Sequence, residues 1–252
     1  MINMTKEQIR EAWLHQLAED FNCREEDLNS SRIILTEPAL NPGRRMYSSE
    51  KCPFQMVTTG DGAVISADKA LWPFLEEWIH DKRGIWLFEH PNMLPLELEL
   101  KNRGLSLAQT HHMFLPTGGI MPEGCAYPVK WLEQEDLMPF YGNPDFPNAL
   151  CDEFTPHRPD MLGIAAMDGD QVIGLAGASA DSRLFWQIGI DVLPSCRGKG
   201  VGTSLVRMLS NEIFRRGAIP FYGTSLSNLH SQRIALSSGF VPAWVETEAA
   251  DA

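Results

Sequence analysis

The chain has 252 residues, 44% of them hydrophobic and 21% charged, with 33 acids against 21 Lys plus Arg. That balance excludes a disordered, collagen-like or disulfide-stapled chain and allows one large or two small domains, each with a real core. The net charge of −12 also disfavours sequence-independent binding to nucleic-acid backbones or anionic lipid, because either requires a concentrated basic face.

Along the chain, Thr5 and Gln8 stand at capping-box spacing, and Ile9, Trp13, Leu17 and Phe21 then recur on one helical face. The first element is therefore an amphipathic helix whose aromatic stripe belongs to the core. Ile33 to Leu35 reads as a short strand, and Phe54 to Val57, Gly60-Asp61-Gly62 and Ala63 to Ile65 as strand, turn and strand. A helix is expected from about Asp68 to Arg83, with Pro73 at its start or at a kink and Gly84 as its C-cap. Ile85 to Phe88 reads as a buried strand and Asn92 to Arg103 as a helix stopped by Gly104. Leu105 to Leu115 reads as a strand with a break at His111-His112. The Pro- and Gly-rich stretch 116–124 suggests a linker, which gives an N-terminal α/β lobe over 1–118 and a second domain over 125–248.

In that second domain Pro128 to Leu132 reads as a strand and Glu133 to Met138 as a short helix. Residues 141–159 read as an irregular stretch with one helix near Asn148 to Glu153. Met161 to Ala166, Asp168-Gly169-Asp170 and Gln171 to Ala178 form a hairpin, and Arg183 to Leu193 a longer strand. The five cysteines, Cys23, Cys52, Cys125, Cys151 and Cys196, have no C-x-x-C pairing and no zinc spacing, which points to a reducing, cytoplasmic setting and no metal site. No apolar run reaches the roughly 18 to 20 residues that span a bilayer, and the N-terminus lacks a signal-peptide pattern, so neither membrane insertion nor secretion is expected.

The long strand runs into Pro194-Ser195-Cys196-Arg197-Gly198-Lys199-Gly200-Val201-Gly202-Thr203 and then a helix burying Leu205, Val206, Leu209 and Ile213. A glycine-rich turn between strand and helix offers unblocked main-chain N–H groups at a positive helix terminus, which suits an anion, here a phosphate. A Walker A loop fails because Gly200 follows Gly198-Lys199, and a dinucleotide fingerprint fails at Thr203 or Leu205. The spacing that fits is R/Q-x-x-G-x-G/A, with Arg197, Gly200 and Gly202.

With that motif, and with Asn228 through Phe240 matching N-x-x-[AS]-x-x-x-Y-x-x-x-G-F apart from the tyrosine, residues 126 to 246 resemble the GNAT superfamily of acetyl-CoA-dependent N-acetyltransferases. The resemblance implies an α+β (mixed α/β) fold, a mostly antiparallel mixed sheet flanked by helices. It implies acetyl-CoA as cosubstrate, held by Val192, Arg197, Gly198, Lys199, Gly200, Val201, Gly202, Thr203, Asn228 and Ser231. It further implies direct transfer of an acetyl group to the primary amine of a small molecule. Two departures concern proton transfer: Ala235 stands where many members place a tyrosine, and Trp186 where others place a glutamate. The remaining candidates for moving protons are Asp191, Tyr222, His230 and Ser231, or ordered water, with a water relay through one of these residues as the expected route. Asp145, Asp152, Glu153 and Asp160 lie where members wall the acceptor pocket; they either attract an ammonium or are ordinary loop and cap acids.

The alternatives are an acyl-CoA-binding sensor or scaffold of weak activity, and acetylation of a protein or peptide amine. No nucleic-acid or membrane partner is expected, and a homodimer is compatible with the sequence. The N-terminal lobe is either an unrelated α/β cap or a degenerate half-repeat. The second reading pairs helix, strand Ile85 to Phe88, helix and Gly104-Leu105 with the order that ends in Gly239-Phe240.

Overall fold

The computed structural model describes residues 4–47 and 49–251. They fall into two compact units built from interleaved stretches, one over 10–44, 49–113 and 243–251, the other over 4–9, 45–47 and 114–242. One crossing between them runs from Met113 to Phe114.

Helix α1 (Lys6–Phe21), whose residues from Arg10 onward belong to the first unit, opens on the capping box read from the sequence. The Thr5 N–H donates to Gln8 Oε1 at 2.9 Å and the Gln8 N–H to Thr5 Oγ1 at 3.2 Å. Its apolar stripe, Ile9, Trp13, Leu17 and Phe21, is buried as the period requires. A short α2 (Glu25–Leu28) leads to β1 (Ile33–Thr36), β2 (Phe54–Thr58) and β3 (Ala63–Ala67). β3 lies between β1, which it meets in parallel, and β2, which it meets antiparallel across the Gly60 turn. A 3-10 turn, Lys69–Leu71, precedes α3 (Trp72–Ile79), and α4 (His90–Lys101) follows. Phe54, Met56, Ile65, Leu75, Leu96 and Leu100 share one core.

Several expected boundaries change here for identifiable reasons. Pro73 sits in the first turn of α3, and that helix ends at Ile79, where Asp81 takes a positive φ of 60°, so Gly84 is not its C-cap. The strand expected over Ile85 to Phe88 is absent: Gly84–Trp86 is a 3-10 turn. A Cβ on Gly84 would lie 2.3 Å from the Gly62 carbonyl carbon, so its absence lets the chain press against the β3 entry and turn. Gly84 and Leu87 are buried and Trp86 is exposed, the burial of a turn rather than of a strand. The half-repeat correspondence therefore lacks its strand. Beyond Gly104 the expected strand divides into β4 (Leu105–Leu107) and β5 (His111–Pro116), with the break at 108–110.

In the second unit, β6 (Val129–Glu133) and a single-turn α5 (Gln134–Leu137) precede three long strands, β7 (Asp160–Asp168), β8 (Gln171–Ala180) and β9 (Phe185–Val192). β6, β7, β8 and β9 pair antiparallel in that order. Then come α6 (Val201–Arg215), β10 (Ile219–Ser225), which pairs parallel to β9, and α7 (Leu229–Ser237). β5 lies beside β10. Leu205, Val206, Leu209 and Ile213 of α6 are fully buried with Ile164, Ile173 and Ile188 of the sheet. The helix expected near Asn148 to Glu153 is an irregular segment, with Pro147 inside the turn that the Ala149 N–H closes on the Phe146 carbonyl.

The stretch read as a linker is an ordered strap within this unit. The Asn211 side chain, fully buried on α6, accepts from the Met121 N–H at 3.0 Å and donates to the Met121 carbonyl at 2.9 Å. The Thr117 N–H donates to the Gly239 carbonyl at 3.2 Å. One strand went unread: β11 (Phe240–Asp251), whose Val245 to Glu248 pairs antiparallel with β2 and whose Ala249 to Asp251 pairs with β4. The architecture is mixed α/β with mostly antiparallel strands flanked by helices. Among the described residues no helix is long and apolar enough to cross a membrane, and no group of three His, Cys, Asp or Glu could hold a metal ion.

Candidate functional site

The glycine loop leaves β9 through a 3-10 turn, Pro194–Cys196, and enters α6 at Gly200. Gly198 and Gly200 hold φ of +74° and +78°, a region that costs other L-residues about 1–2 kcal/mol. Neither has an atom within 4 Å of where a Cβ would stand, so the loop is open on that side. The N–H groups of Gly198 through Thr203 find no acceptor among the described residues; the first helical bond is Ser204 N–H to the Gly200 carbonyl at 3.0 Å. Successive donors at a helix start with no acceptor of their own form an anion-binding concavity.

Arg197 staples this loop, its Nε donating to the Val192 carbonyl at 2.9 Å. Lys199 is exposed and makes no hydrogen bond or ion pair among the described residues. Gly202 is buried for a packing reason, because a Cβ there would come 3.1 Å from Ile234 Cδ1 of α7. Val201 is buried too, and the Thr203 carbonyl accepts from Ser238 Oγ at 3.3 Å. The residues grouped on the sequence around the loop are thus grouped in space, with α7 packed behind them.

Beside the loop the sheet opens. The parallel ladder between β10 and β9 runs from Ile219 opposite Phe185 to Tyr222 opposite Ile188 and stops, although both strands continue. Gly189 to Val192 and Gly223 to Ser225 therefore part from one another just before the glycine loop. Asn228 caps α7, accepting the Ser231 N–H on Oδ1 at 3.1 Å. Tyr222 is buried, and its hydroxyl lies 2.6 Å from Ser231 Oγ. Burial pushes the Tyr222 phenol up to about 12, the Ser231 hydrogen bond opposing the shift and the Asp191 charge adding to it.

The other two proton-transfer candidates are placed differently. Asp191 has both carboxylate oxygens engaged, Oδ2 by the Asn148 N–H at 2.6 Å and Oδ1 by Asn148 Nδ2 at 2.8 Å. His230 is exposed at the start of α7. The clasp on Asp191 explains the segment expected as a helix. A Cβ on Gly189 would meet the Asn148 carbonyl at 2.1 Å, and one on Gly177 the Ala149 carbonyl at 2.4 Å. Two glycines inside strands thus let the 148–150 main chain lie directly on β8 and β9.

The four acids assigned to the acceptor side separate by burial. Asp145, Asp152 and Glu153 are exposed. Asp160 is fully buried, its Oδ2 accepting from the Tyr141 hydroxyl at 3.0 Å and the Cys151 N–H at 3.1 Å. Burial raises its pKa, those hydrogen bonds opposing, so the site favours the neutral acid more than water does. Burial also pushes the Cys151 thiol up to about 11, which keeps it protonated at neutral pH.

Nearby is a charged cluster that the sequence did not announce. Arg158 Nε donates to Asp181 Oδ1 at 2.7 Å, its Nη2 to Gln187 Oε1 at 2.9 Å, and Ser179 Oγ also donates to Asp181 at 2.7 Å. Burial works against the Arg158 charge, yet the Asp181 carboxylate more than offsets it and raises the guanidinium above its ordinary value. Residues 45–47 join the cluster: the Met46 N–H donates to the Asp181 carbonyl at 2.7 Å, and the Arg45 and Arg158 guanidiniums lie 5.1 and 4.9 Å from the Tyr47 ring centroid. Chain separation hid this group. The strand glycines Gly177 and Gly189 were the signal that could have located the covering loop.

Residues 127–240 match the model of the acetyltransferase (GNAT) family. Among curated proteins no sequence matches that of this chain. Among solved structures, a GNAT-family protein of Novosphingobium aromaticivorans DSM 12444 is similar at 14% identity and a TM-score of 0.47, over 58% of this chain and 66% of that one. A GNAT-family acetyltransferase from Colwellia psychrerythraea is similar at 15% identity and a TM-score of 0.40, over 62% and 61%. The aminoglycoside N-acetyltransferase AAC(6')-Iy, solved in complex with CoA, is 24% identical with a TM-score of 0.37, over 49% of this chain and 93% of that one. The chain thus spans less than two thirds of the length of the first two.

Proposed function

Since residues 127–240 are an acetyltransferase domain of the GNAT family, we propose that this chain moves an acetyl group from acetyl-CoA to the primary amine of a small molecule, by direct transfer with both reactants bound. The observation that carries this reading is the row of unaccepted N–H groups from Gly198 to Thr203. They stand beside the point where β9 and β10 part. A diphosphate fits such a row because each amide supplies a fixed donor and the helix start adds partial positive charge. Lys199, exposed and without an ion pair, adds a mobile cation at the rim. An extended thiol arm leaving the diphosphate would reach the unpaired edges of the two strands, where main-chain groups still have hydrogen bonds to make.

The chain's contribution to the chemistry is positioning. Holding amine and thioester together removes much of the entropic cost of a bimolecular step, and a main-chain donor at the β9 edge would stabilise charge on the acyl oxygen. Acceptor attraction rests on Asp145, Asp152 and Glu153, whose exposure leaves them able to draw an ammonium inward. The five cysteines are all unpaired, in keeping with a cytoplasmic enzyme.

The test is calorimetric titration of acetyl-CoA into the protein and into Gly200→Val. Valine at φ +78° is strained and puts a branched side chain into the loop opening. Binding to the parent and none to a folded variant is expected; equal affinity overturns the loop assignment. Thiol release that accelerates with added amine then separates turnover from binding alone.

A further inference from the structure

Which amine is accepted depends on what the sheet presents beside the opening, on the face away from α6. Ile188 and Val192 of β9 pack in one core with α6, so Gln187 and Gly189, which alternate with them, face the other way. Phe221 of β10 stands level with Gln187 in the ladder. The 148–150 main chain covers this face at Gly189. Gln187 is half-buried and stands one residue before the last pair of the ladder, next to the point where the strands part.

A turn brings Arg158 to Gln187: the Arg158 N–H donates to the Thr155 carbonyl at 3.2 Å, and Thr155 Oγ1 donates to the Arg158 carbonyl at 3.2 Å. The guanidinium is then fixed along one edge, Nε and Nη2 donating to the two Asp181 oxygens at 2.7 and 3.4 Å, and Nη2 also to Gln187 Oε1 at 2.9 Å. Asp181 is fully buried and takes Ser179 Oγ as well. The acceptors of this group are thus occupied, whereas two of its donors are not. Arg158 Nη1 and Gln187 Nε2 make no hydrogen bond among the described residues, and the Arg158 side chain keeps 26% of its surface exposed. A guanidinium is planar, so the Asp181 pairing also sets the direction of the Nη1 donors. The Tyr47 ring lies 4.9 Å from the Arg158 guanidinium carbon and 5.1 Å from that of Arg45, so a second cation stands close by.

We propose that Arg158 and Gln187 bind a carboxylate of the acceptor, so that the amine this chain acetylates carries a carboxylate at its far end. The proposal rests on the acetyl-transfer reading above. Arg158 Nη1 supplies a charged donor and Gln187 Nε2 a neutral one, and a carboxylate has an oxygen for each. Asp181 engages the Nε edge of the guanidinium, which leaves the Nη1 side for this second carboxylate. Gln187 stands two residues, about 7 Å, before Gly189, the first β9 residue with no β10 partner. An amine and a carboxylate separated by a short unbranched carbon chain span that interval, whereas those of an α-amino acid, one carbon apart, do not.

The experiment compares kcat/KM for linear aminoalkanoates of increasing length with that for alkylamines of matching length, by thiol release from acetyl-CoA. It uses the parent, Gln187→Glu and Arg158→Lys, with acetyl-CoA calorimetry and thermal unfolding on each. In the parent the aminoalkanoate of best length is expected to be favoured by about 10- to 100-fold, the worth of a hydrogen bond to a charged group. Gln187→Glu keeps the oxygen that accepts from Arg158 and replaces the free donor by an oxygen that repels a carboxylate, so the preference is expected to be lost. Arg158→Lys keeps a cation beside the buried Asp181 but not the fork, and the preference is expected to shrink. Equal kcat/KM for the two series in the parent overturns the proposal, as does a preference that folded Gln187→Glu retains in full. A parent that binds acetyl-CoA and turns over neither series overturns it too. Failure of the parent to bind acetyl-CoA would instead overturn the transfer reading on which the proposal rests.

Discussion

At the scale of single residues, environment separates side chains that look alike in the sequence. Asp160 and Asp145 were both candidate ammonium attractors, yet one is sealed under Tyr141 and Cys151 and the other is exposed. The raised pKa of Asp160 has a consequence for stability. Its folded pKa lies above its unfolded value of about 4, so the stability it contributes is complete below that value and is lost as pH rises through the raised folded pKa. Asp160→Asn keeps an oxygen to accept from Tyr141 and Cys151 and cannot ionise. Its unfolding temperature relative to the parent is expected to be near equal at pH 4 and higher at pH 8, measured by thermal melts across that range. A parent that gains stability from pH 4 to 8 relative to the variant would contradict this. The identity of the acids was legible in the sequence; their burial was not, because Tyr141 and Asp160 meet only after the intervening loop has folded back.

At the scale of elements, local rules read well where one face or one turn decides the outcome. The capping box and the apolar stripe of α1 came through intact, as did the hairpin of β7 and β8 and the whole passage from β9 through the glycine loop into α6. They failed where tertiary contact outweighs propensity. Ile85 to Phe88 has a strand's composition but makes a turn, since Gly84 presses on the Gly62 backbone. Residues 148–150 have no regular structure because they are fixed from below by Gly177, Gly189 and Asp191. The same geometry gives a prediction. Gly189→Ala places a methyl where the Asn148 carbonyl lies, at 2.1 Å, so the segment must lift and its clasp on Asp191 weaken. A loss of about 1–3 kcal/mol of stability is expected from overpacking. The KM for the amine is expected to rise more than the affinity for acetyl-CoA falls, in paired kinetics and calorimetry. An unchanged melting temperature would mean that the segment is not held against the sheet.

At the scale of the whole molecule, the C-terminal strand belongs with the unit of residues 10–44 and 49–113 although the chain reaches it last. Val245 to Glu248 completes the edge of β2, and Ala249 to Asp251 pairs with β4. Deleting residues 243–252, which lie beyond the 127–240 match, should therefore expose the β2 edge and disrupt the first unit. The expected result is a lower melting temperature and aggregation in light scattering, and a deletion variant that melts as the parent does would refute the pairing. By itself the sequence determined the glycine-rich loop with its flanking strand and helix, and the likeness of 127–240 to the acetyltransferase (GNAT) family, because those depend on backbone conformations and spacings held within a few consecutive residues. Only the tertiary structure decided that Asp191 is clasped by Asn148, that Tyr222 meets Ser231, and that Arg158 is paired with Asp181 beside Tyr47. Each of those contacts joins residues far apart along the chain, and no local period or motif encodes which distant partner a buried polar group will find.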